Sequence, residues 1–590
     1  MPEREGARGA GVPPGRFRRD DALARLREET FDVLVVGGGI TGAGVALDAA
    51  SRGFRTALVE KDDFASGTSS KSSKLVHGGI RYLQQHEFRL VYENLAERQR
   101  LLENAPHLVS PVPFLIPLFG RKGVVNRGVA RAYRTALWLY DLTGGVRIGR
   151  RHERVGKDEA LAHLPTLRAD DLVAGFLYWD ARTDDARLTL CVLRTAVLDY
   201  GAVAANHTRV EALTHSDDGR ATGARVVPED GDPFTVRATV VVNAAGVWAD
   251  EVRALDEGAH PCSIRPAKGV HITVPAVAFP CDAAAVIPVR GDQRSIFVVS
   301  WGDQVYLGTT DTAYDGPLDD PACRPEDVAY LLDAANAVTT RPLEPSDITG
   351  IWSGLRPLLA PVAGRRAPNE RTADLSRRHT VGVSPSGVVT VTGGKLTTYR
   401  KMAEDTVDAV ARVLERRARC VTRSLRLHGA MPVEPSPGDS RDAGPDRAAA
   451  AAGHLAGRYG SETPDVLALA HERPELLEPL VPGLRYLGAE AVYAVQEEMA
   501  RSLADVLDRR TRASLRDARA AASAADRVAA LVGPLLGWNE ARGRREAADY
   551  AAHLRSELSA AGLDPDRHVP RVAGPGSGGR ALAGRPTDDR

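Results

Sequence analysis

Phe31-Asp-Val-Leu-Val-Val-Gly37-Gly-Gly39-Ile-Thr-Gly42 is the stretch on which the fold turns. Its first half is a short, nearly continuous apolar run, the pattern of a strand buried on both faces. Its second half sets Gly37, Gly39 and Gly42 in a G-x-G-x-x-G spacing. The first glycine permits a tight turn, the second lets backbone approach a pyrophosphate, and the third lets the following helix pack closely on the strand. That helix, Ala43 to Arg52, aims its first N–H groups at the phosphates. A second apolar run, Thr56-Ala-Leu-Val59, ends at Glu60. This carboxylate stands roughly 20 residues on, where an acid can hold ribose hydroxyls. Strand, glycines, helix, strand and acid in this order predict a Rossmann-type βαβ unit. The unit alone does not separate NAD from FAD.

Other segments favour the longer cofactor. Ala65-Ser-Gly-Thr68-Ser69-Ser70-Lys-Ser-Ser73-Lys74 is a run of hydroxyls and small residues suited to an extended phosphate and ribitol chain. Val240-Val-Val-Asn-Ala-Ala245-Gly246 reads as a strand entering a small-residue turn, and Val391-Thr-Gly393-Gly394-Lys395-Leu396-Thr397-Thr398 repeats the design. Two such turns, far apart in sequence, suit FAD better than a compact NAD domain.

Composition narrows the class. The chain has 590 residues, 43% of them hydrophobic, enough for a large core in several units. Acidic and basic residues number 77 each, which argues against general nucleic-acid binding. The five cysteines form no C-x-x-C pair, so reduced thiols and a cytoplasmic setting are expected, with no metal site. No signal peptide or membrane span is read.

The expected fold is α/β: a Rossmann-type FAD-binding domain, an antiparallel-sheet substrate domain and an all-helical C-terminal domain. Residues 1–28 read as a disordered leader. Segments 29–110, 170–262 and 345–420 are assigned to the FAD domain, and 111–169 and 263–344 to the substrate domain. A linker spans 421–446, helices 447–562, and a disordered tail 563–590.

Longer motifs carry a family resemblance. They include Thr68-Ser-Ser-Lys-Ser-Ser-Lys-Leu-Val-His77-Gly-Gly-Ile-Arg81-Tyr82-Leu83, Ser353-Gly-Leu-Arg356-Pro-Leu358, Gly393-Gly-Lys-Leu-Thr-Thr-Tyr-Arg-Lys401 and, near the end, Asp508-Arg-Arg-Thr-Arg512. With these the sequence resembles the FAD-dependent glycerol-3-phosphate dehydrogenases of the D-amino-acid oxidase-like flavoproteins, over about residues 30–420 and again in the helical C-terminal part. The resemblance implies oxidation of sn-glycerol 3-phosphate to dihydroxyacetone phosphate, with hydride passing to the flavin and electrons onward to a quinone. Alternatives are a flavin oxidase for an amino or 2-hydroxy acid, an oxygen-linked enzyme, and a flavin-binding protein without turnover.

A phosphate-bearing alcohol needs cations and a base. Arg356, in a Gly/Pro-bounded turn, is the first candidate for the phosphate. The resemblance adds Arg81, Tyr82 and Arg377, although Ser376-Arg-Arg-His379 leaves Arg377 against Arg378 open. Lys395 is expected beside the flavin; the resemblance offers His271 as the hydroxyl base, with His77 its competitor and otherwise set against the flavin. The candidate catalytic set is therefore His271, Lys395 and Arg356. Expected partners are glycerol 3-phosphate, a quinone, a peripheral membrane surface and a second copy of the chain. The membrane expectation rests on a basic amphipathic segment between Val125 and Tyr140. Arg127, Arg131 and Arg134 share one face with Trp138, and Val125, Val129, Ala132, Ala136 and Tyr140 lie opposite.

Overall fold

The computed structural model describes residues 16–80, 82, 87–120, 127–289, 294–360, 378–431 and 445–567. Its first sheet grows from the βαβ unit. Strand Thr30–Val36 lies between Phe234–Asn243 and Thr56–Val59, parallel to both. Val389–Thr392 and Val203–Ala205 extend the parallel order outward on either side. Val33, Leu34 and Val35 are fully buried, as the unbroken apolar run requires. Helices Ile40–Ser51, Asp185–Leu198 and Tyr399–Val413 pack together, with Ile40–Ser51 touching both others. A single apolar cluster joins this layer to the strands.

The second sheet has ten strands and is mostly antiparallel. Its longest pairings join Val109–Phe119 to Leu172–Thr183 and Ile264–Pro275 to Gly350–Leu359. Strand partners correct the sequence-based boundaries. Leu75–Val76, Leu172–Thr183 and Gly350–Leu359, expected in the FAD domain, belong to this second sheet. Strand Val109–Phe119 crosses the expected boundary at residue 111. Apolar content says that a strand is buried, not which sheet completes its hydrogen bonds.

Three further boundaries shift. Helix Arg19–Glu28 forms inside the expected leader and buries Ala22, Leu23 and Leu26 against the first sheet. Arg19 fixes it, donating to the Asn206 carbonyl at 2.9 Å and to Asp230 at 2.7 Å. Residues 421–431, expected as linker, also dock. Leu427 is buried, its N–H donates to the Asn104 carbonyl, and the N–H of His428 donates to Thr195. The rest of the linker up to residue 444, residues 1–15 of the leader and residues 568–590 of the tail lie outside the described residues. Leu563, placed in that tail, is buried against the second sheet's core.

The C-terminal part is helical from Pro445 to Ala560, as expected, with a π-helical turn at Asp505–Arg510. It is not packed independently. Ala518, Leu558, Ala561 and Leu563 join the apolar cluster of the second sheet.

Candidate active site: a cofactor cradle beside a cationic sheet face

The glycine turn, the Ser-rich segment and the two later turns converge. They wall a cavity of about 360 Å³ that includes Gly37, Gly39, Glu60, Thr68, Ser69, Ala245, Gly246, Gly393, Gly394, Lys395 and Leu396. Close packing at the turn leaves no room for a side chain. A Cβ at Gly42 would stand 1.9 Å from the Gly37 carbonyl oxygen. Ser69 Oγ accepts from the N–H of Ile40 at 2.8 Å, tying the Ser-rich segment to the start of the helix. The Glu60 carboxylate accepts from the N–H groups of Gly38 at 2.6 Å and Asp62 at 2.9 Å. Burial outweighs these bonds and pushes its pKa up.

The residues present fit FAD. Glycine backbone and a helix N-terminus face the cavity where a pyrophosphate needs donors. Trp248 lines the same cavity, and its buried Nε1–H has no hydrogen-bond partner among the described residues. That sequence signal was missed, because a lone Trp after Gly246 belongs to no cofactor motif.

The Ser-rich segment also reaches the second sheet. Thr68 Oγ1 donates to the Leu355 carbonyl, Trp352 Nε1 donates to the Ser72 carbonyl at 3.2 Å, and Tyr306 Oη donates to the Ser73 carbonyl at 2.7 Å. Thr68 and Ser69 face the cofactor cavity, whereas Ser73 Oγ lies 2.8 Å from Nε2 of His271. Ser70 serves through its carbonyl, which accepts from Lys74 and Arg512.

The pairing register aligns the expected substrate residues. His271 is opposite Trp352 and Ala267 is opposite Arg356 across antiparallel strands. With side chains alternating, His271, Trp352 and Arg356 share one sheet face. His271 is buried, stacked on Trp352 at 4.7 Å between centroids, and its Nδ1 has no hydrogen-bond partner among the described residues. Burial, then the charges of Lys74 and Arg356, depress its pKa well below 6.5. The ring is therefore neutral, and both cations stand near enough to bias it. It does not line the cofactor cavity.

Arg356 donates to Asp311 Oδ1 at 3.2 Å, Thr309 Oγ1 at 3.1 Å and the Thr310 carbonyl at 3.2 Å. Lys395 reaches the cofactor cavity and holds its ammonium 3.7 Å from the Tyr82 ring centroid. His77 and Thr397 meet through the His77 N–H and Thr397 Oγ1 at 3.2 Å, outside the cavity wall. Arg81 and Arg377 lie outside the described residues. Arg378 pairs with Glu87.

The C-terminal helices close on this assembly from behind. Arg509 and Arg510 both donate to Asp63, and Arg512 donates to Asp185 at 2.7 Å and to the Ser70 carbonyl. Asp185 in turn accepts from Ser72 and Lys74. The Asp508-Arg-Arg-Thr-Arg512 motif thus grips the Ser-rich segment across more than 400 residues of chain. The fold and cradle together define a flavin-dependent oxidoreductase of the dinucleotide-binding type, with FAD as its cofactor.

Comparison with known proteins makes this specific. Residues 32–400 match the family of FAD dependent oxidoreductases, and residues 420–543 match the C-terminal domain of alpha-glycerophosphate oxidase. The chain is similar to glycerol-3-phosphate dehydrogenase 2 of Mycobacterium bovis, 42% identical, with 92% of this chain and 91% of that protein covered. It is 36% identical to the mitochondrial glycerol-3-phosphate dehydrogenase of Mus musculus, over 92% of this chain and 76% of that one. Among solved structures it is similar to the glycerol-3-phosphate dehydrogenase from Bacillus halodurans complexed with FAD. There the TM-score is 0.72 and identity 33%, covering 94% of this chain and all of the other. The chain belongs to the FAD-dependent glycerol-3-phosphate dehydrogenase family.

Proposed function

We propose that the protein oxidises sn-glycerol 3-phosphate to dihydroxyacetone phosphate and delivers the electrons to a membrane quinone. The observation that carries this reading is the sheet face on which Arg356 and His271 are aligned beside the cradle, in a chain so similar to proteins named for this activity. Bound FAD supplies the hydride acceptor for C2 of the substrate.

Each residue has a part that its setting supports. Arg356 presents a planar fork to the phosphate oxygens, exchanging its ion pair with Asp311 and its bond to Thr309 for bonds to the dianion. Arg81, Tyr82 and Arg377 complete the substrate set by family resemblance. Lys395 places a cation at the cofactor cavity, where it stabilises negative charge that develops on reaction. His271 takes the C2 hydroxyl proton. Its low pKa, set first by burial and then by the charges of Lys74 and Arg356, keeps it unprotonated, and the substrate dianion offsets the charge part of that depression. Substrate binding thus raises the basicity of the ring when a base is needed. The quinone and the membrane surface are the partners that complete the turnover.

Anaerobic mixing with glycerol 3-phosphate tests the substrate. The oxidised flavin absorbance should bleach within the dead time to seconds, and glycine or lactate should leave it intact. Bleaching by an amino or 2-hydroxy acid, but not by glycerol 3-phosphate, would overturn the assignment. A steady-state comparison of a soluble quinone with dioxygen then identifies the acceptor.

A further inference from the structure

A second cavity, of about 390 Å³, lies between the second sheet and the C-terminal helices. No residue of its wall is shared with the cofactor cavity. Lys74, Arg182, Arg187, Arg458, Arg485 and Arg516 all line it. The catalytic reading uses Lys74 only as a charge that biases His271, and the other five not at all.

Most of these cations have a counter-charge: Lys74 has Asp185, Arg187 has Glu498, Arg458 has Glu490, and Arg516 has Asp303. Arg182 differs. It donates Nη1 to the Ser300 carbonyl at 2.8 Å, and no carboxylate lies within 4 Å of it among the described residues. Burial, opposed by Tyr306 and helped by the charge of Arg516, pulls its pKa down. Arg182 is half-buried and lines the cavity, so a guanidinium whose described protein partner is a neutral carbonyl can still take an anion there. The one acid in the wall does not relieve it. Asp184 is committed to Arg458 at 3.3 Å and caps its own helix by accepting from the N–H of Arg187 at 3.2 Å. Arg516 lies over Trp301, 4.3 Å from the ring centroid, and donates Nη1 to Asp303 at 2.9 Å, which leaves donors on the rest of its fork for an anion in the cavity.

We propose that this cavity binds a compact soluble polyanion of the phosphate-monoester class, separately from the substrate site. The cavity is large enough for a small organic phosphate. Its wall carries six cations and one acid, Asp184. The site also touches the machinery. Lys74 in its wall, the residue after the Ser73 that meets His271, donates to Asp185 at 3.1 Å and to the Ser70 carbonyl at 3.2 Å. An anion drawn to Lys74 and Arg182 is thus positioned to stiffen the Ser-rich segment and the contact with the C-terminal helices.

The test is a titration of the FAD-loaded enzyme with inorganic phosphate at low ionic strength, read as the shift in melting temperature. A ligand that binds only the folded state raises it with concentration. Arg182→Leu should weaken the apparent affinity at least tenfold, whereas Arg356→Ala should leave this Arg182-dependent part in place. Arg485→Glu, at an exposed position on the wall, should weaken it as well, and it serves if Arg182→Leu does not fold. Unchanged affinity in either cavity variant that folds, or no phosphate-dependent shift in the wild type, would overturn the proposal. A shift lost in Arg356→Ala alone would place the anion at the substrate site instead. A shift produced by phosphatidylglycerol vesicles and not by phosphate would replace the soluble ligand by a lipid headgroup.

Discussion

At position 269 a Cβ atom would stand 2.5 Å from Nη2 of Arg356 and 2.6 Å from Oγ1 of Thr309. Both obstacles are side-chain ends, the Arg356 guanidinium and the Thr309 hydroxyl, so Gly269→Ala should fold and move the guanidinium. Arg356→Ala should lower kcat/KM for glycerol 3-phosphate by roughly 100- to 1000-fold, the loss of charged hydrogen bonds. Gly269→Ala should give a smaller loss in the same direction, about tenfold, with FAD content unchanged. Turnover of plain glycerol should hardly differ between wild type and either variant, and equal losses on both substrates would count against a phosphate role. His271 makes a different prediction. Its pKa is depressed in the folded enzyme, so kcat/KM should show no inflection near 6.5 from this base. For stability the sign follows: the unfolded chain takes up the proton first, so His271 costs stability as pH falls below about 6.5. His271→Asn should slow anaerobic flavin reduction by roughly 100- to 10,000-fold and should remove that part of the acid sensitivity. An acid limb at pH 6.5 in the wild type that vanishes in the variant would contradict the depressed pKa. Reduction as fast as wild type would make His271 structural.

The helix Arg127–Leu142 shows how far an element can be read from sequence. Its amphipathic pattern is real where side chains are described: Leu137 and Tyr140 are buried, and Arg131, Arg134 and Trp138 are exposed. Trp138 is 56% and Leu142 80% exposed, and on the helix Phe88–Asn104 Phe88 and Tyr92 are exposed too. Arg147 lies near Tyr92, 5.3 Å from its ring centroid. Exposed aromatics among arginines are what an interfacial helix offers to anionic headgroups. Among the described residues no helix is long and apolar enough to cross a membrane. The wild-type protein should float with phosphatidylglycerol vesicles at low salt and be released by high salt. Arg131→Glu/Arg134→Glu or Trp138→Ser should reduce the bound fraction several-fold while flavin bleaching by substrate is unchanged. Vesicle binding equal to wild type in both would move the membrane contact elsewhere. The cradle was equally legible, because glycine spacing and strand ends are local signals. The sheet that owns Gly350–Leu359 was not, since ten residues of pairing to Ile264–Pro275 leave no mark in either strand alone. Helix Arg19–Glu28 escaped for a related reason. Its three buried apolar residues are scattered among charges, and its anchor, Arg19, reads as a surface residue.

The whole molecule is held by charges that sequence separates widely, such as Asp63 with Arg510 and Arg194 with both Glu462 and Glu498. Nothing in the local sequence around Asp63 announces a partner 447 positions away, so the role of the C-terminal helices emerges only from the fold. One such junction responds to pH in a calculable direction. His428, at the entry to the C-terminal part, has Nδ1 3.3 Å from Asp199 and Nε2 3.3 Å from Glu462. Burial opposes its charge, but the bonds to Asp199 and Glu462 prevail and raise its pKa to about 9. Glu462, despite burial, is lowered to about 2 by His428 and Arg194. An unfolded histidine titrates near 6.5 and an unfolded glutamate near 4.3. The histidine's contribution is therefore full below about 6.5 and lost as pH rises through about 9. The glutamate's is full above about 4.5 and lost as pH falls through about 2. Both describe largely one contact, so they are not summed, and the junction is strongest between those windows. Raising the pH from 6 to 9.5 should cost on the order of 2 kcal/mol at this site, allowing for its partial exposure. The melting temperature of the FAD-loaded enzyme should fall over that interval, and His428→Gln, uncharged throughout, should start lower and fall less. Parallel pH profiles for the two proteins would show that His428 does not hold the C-terminal helices to the catalytic body through its charge.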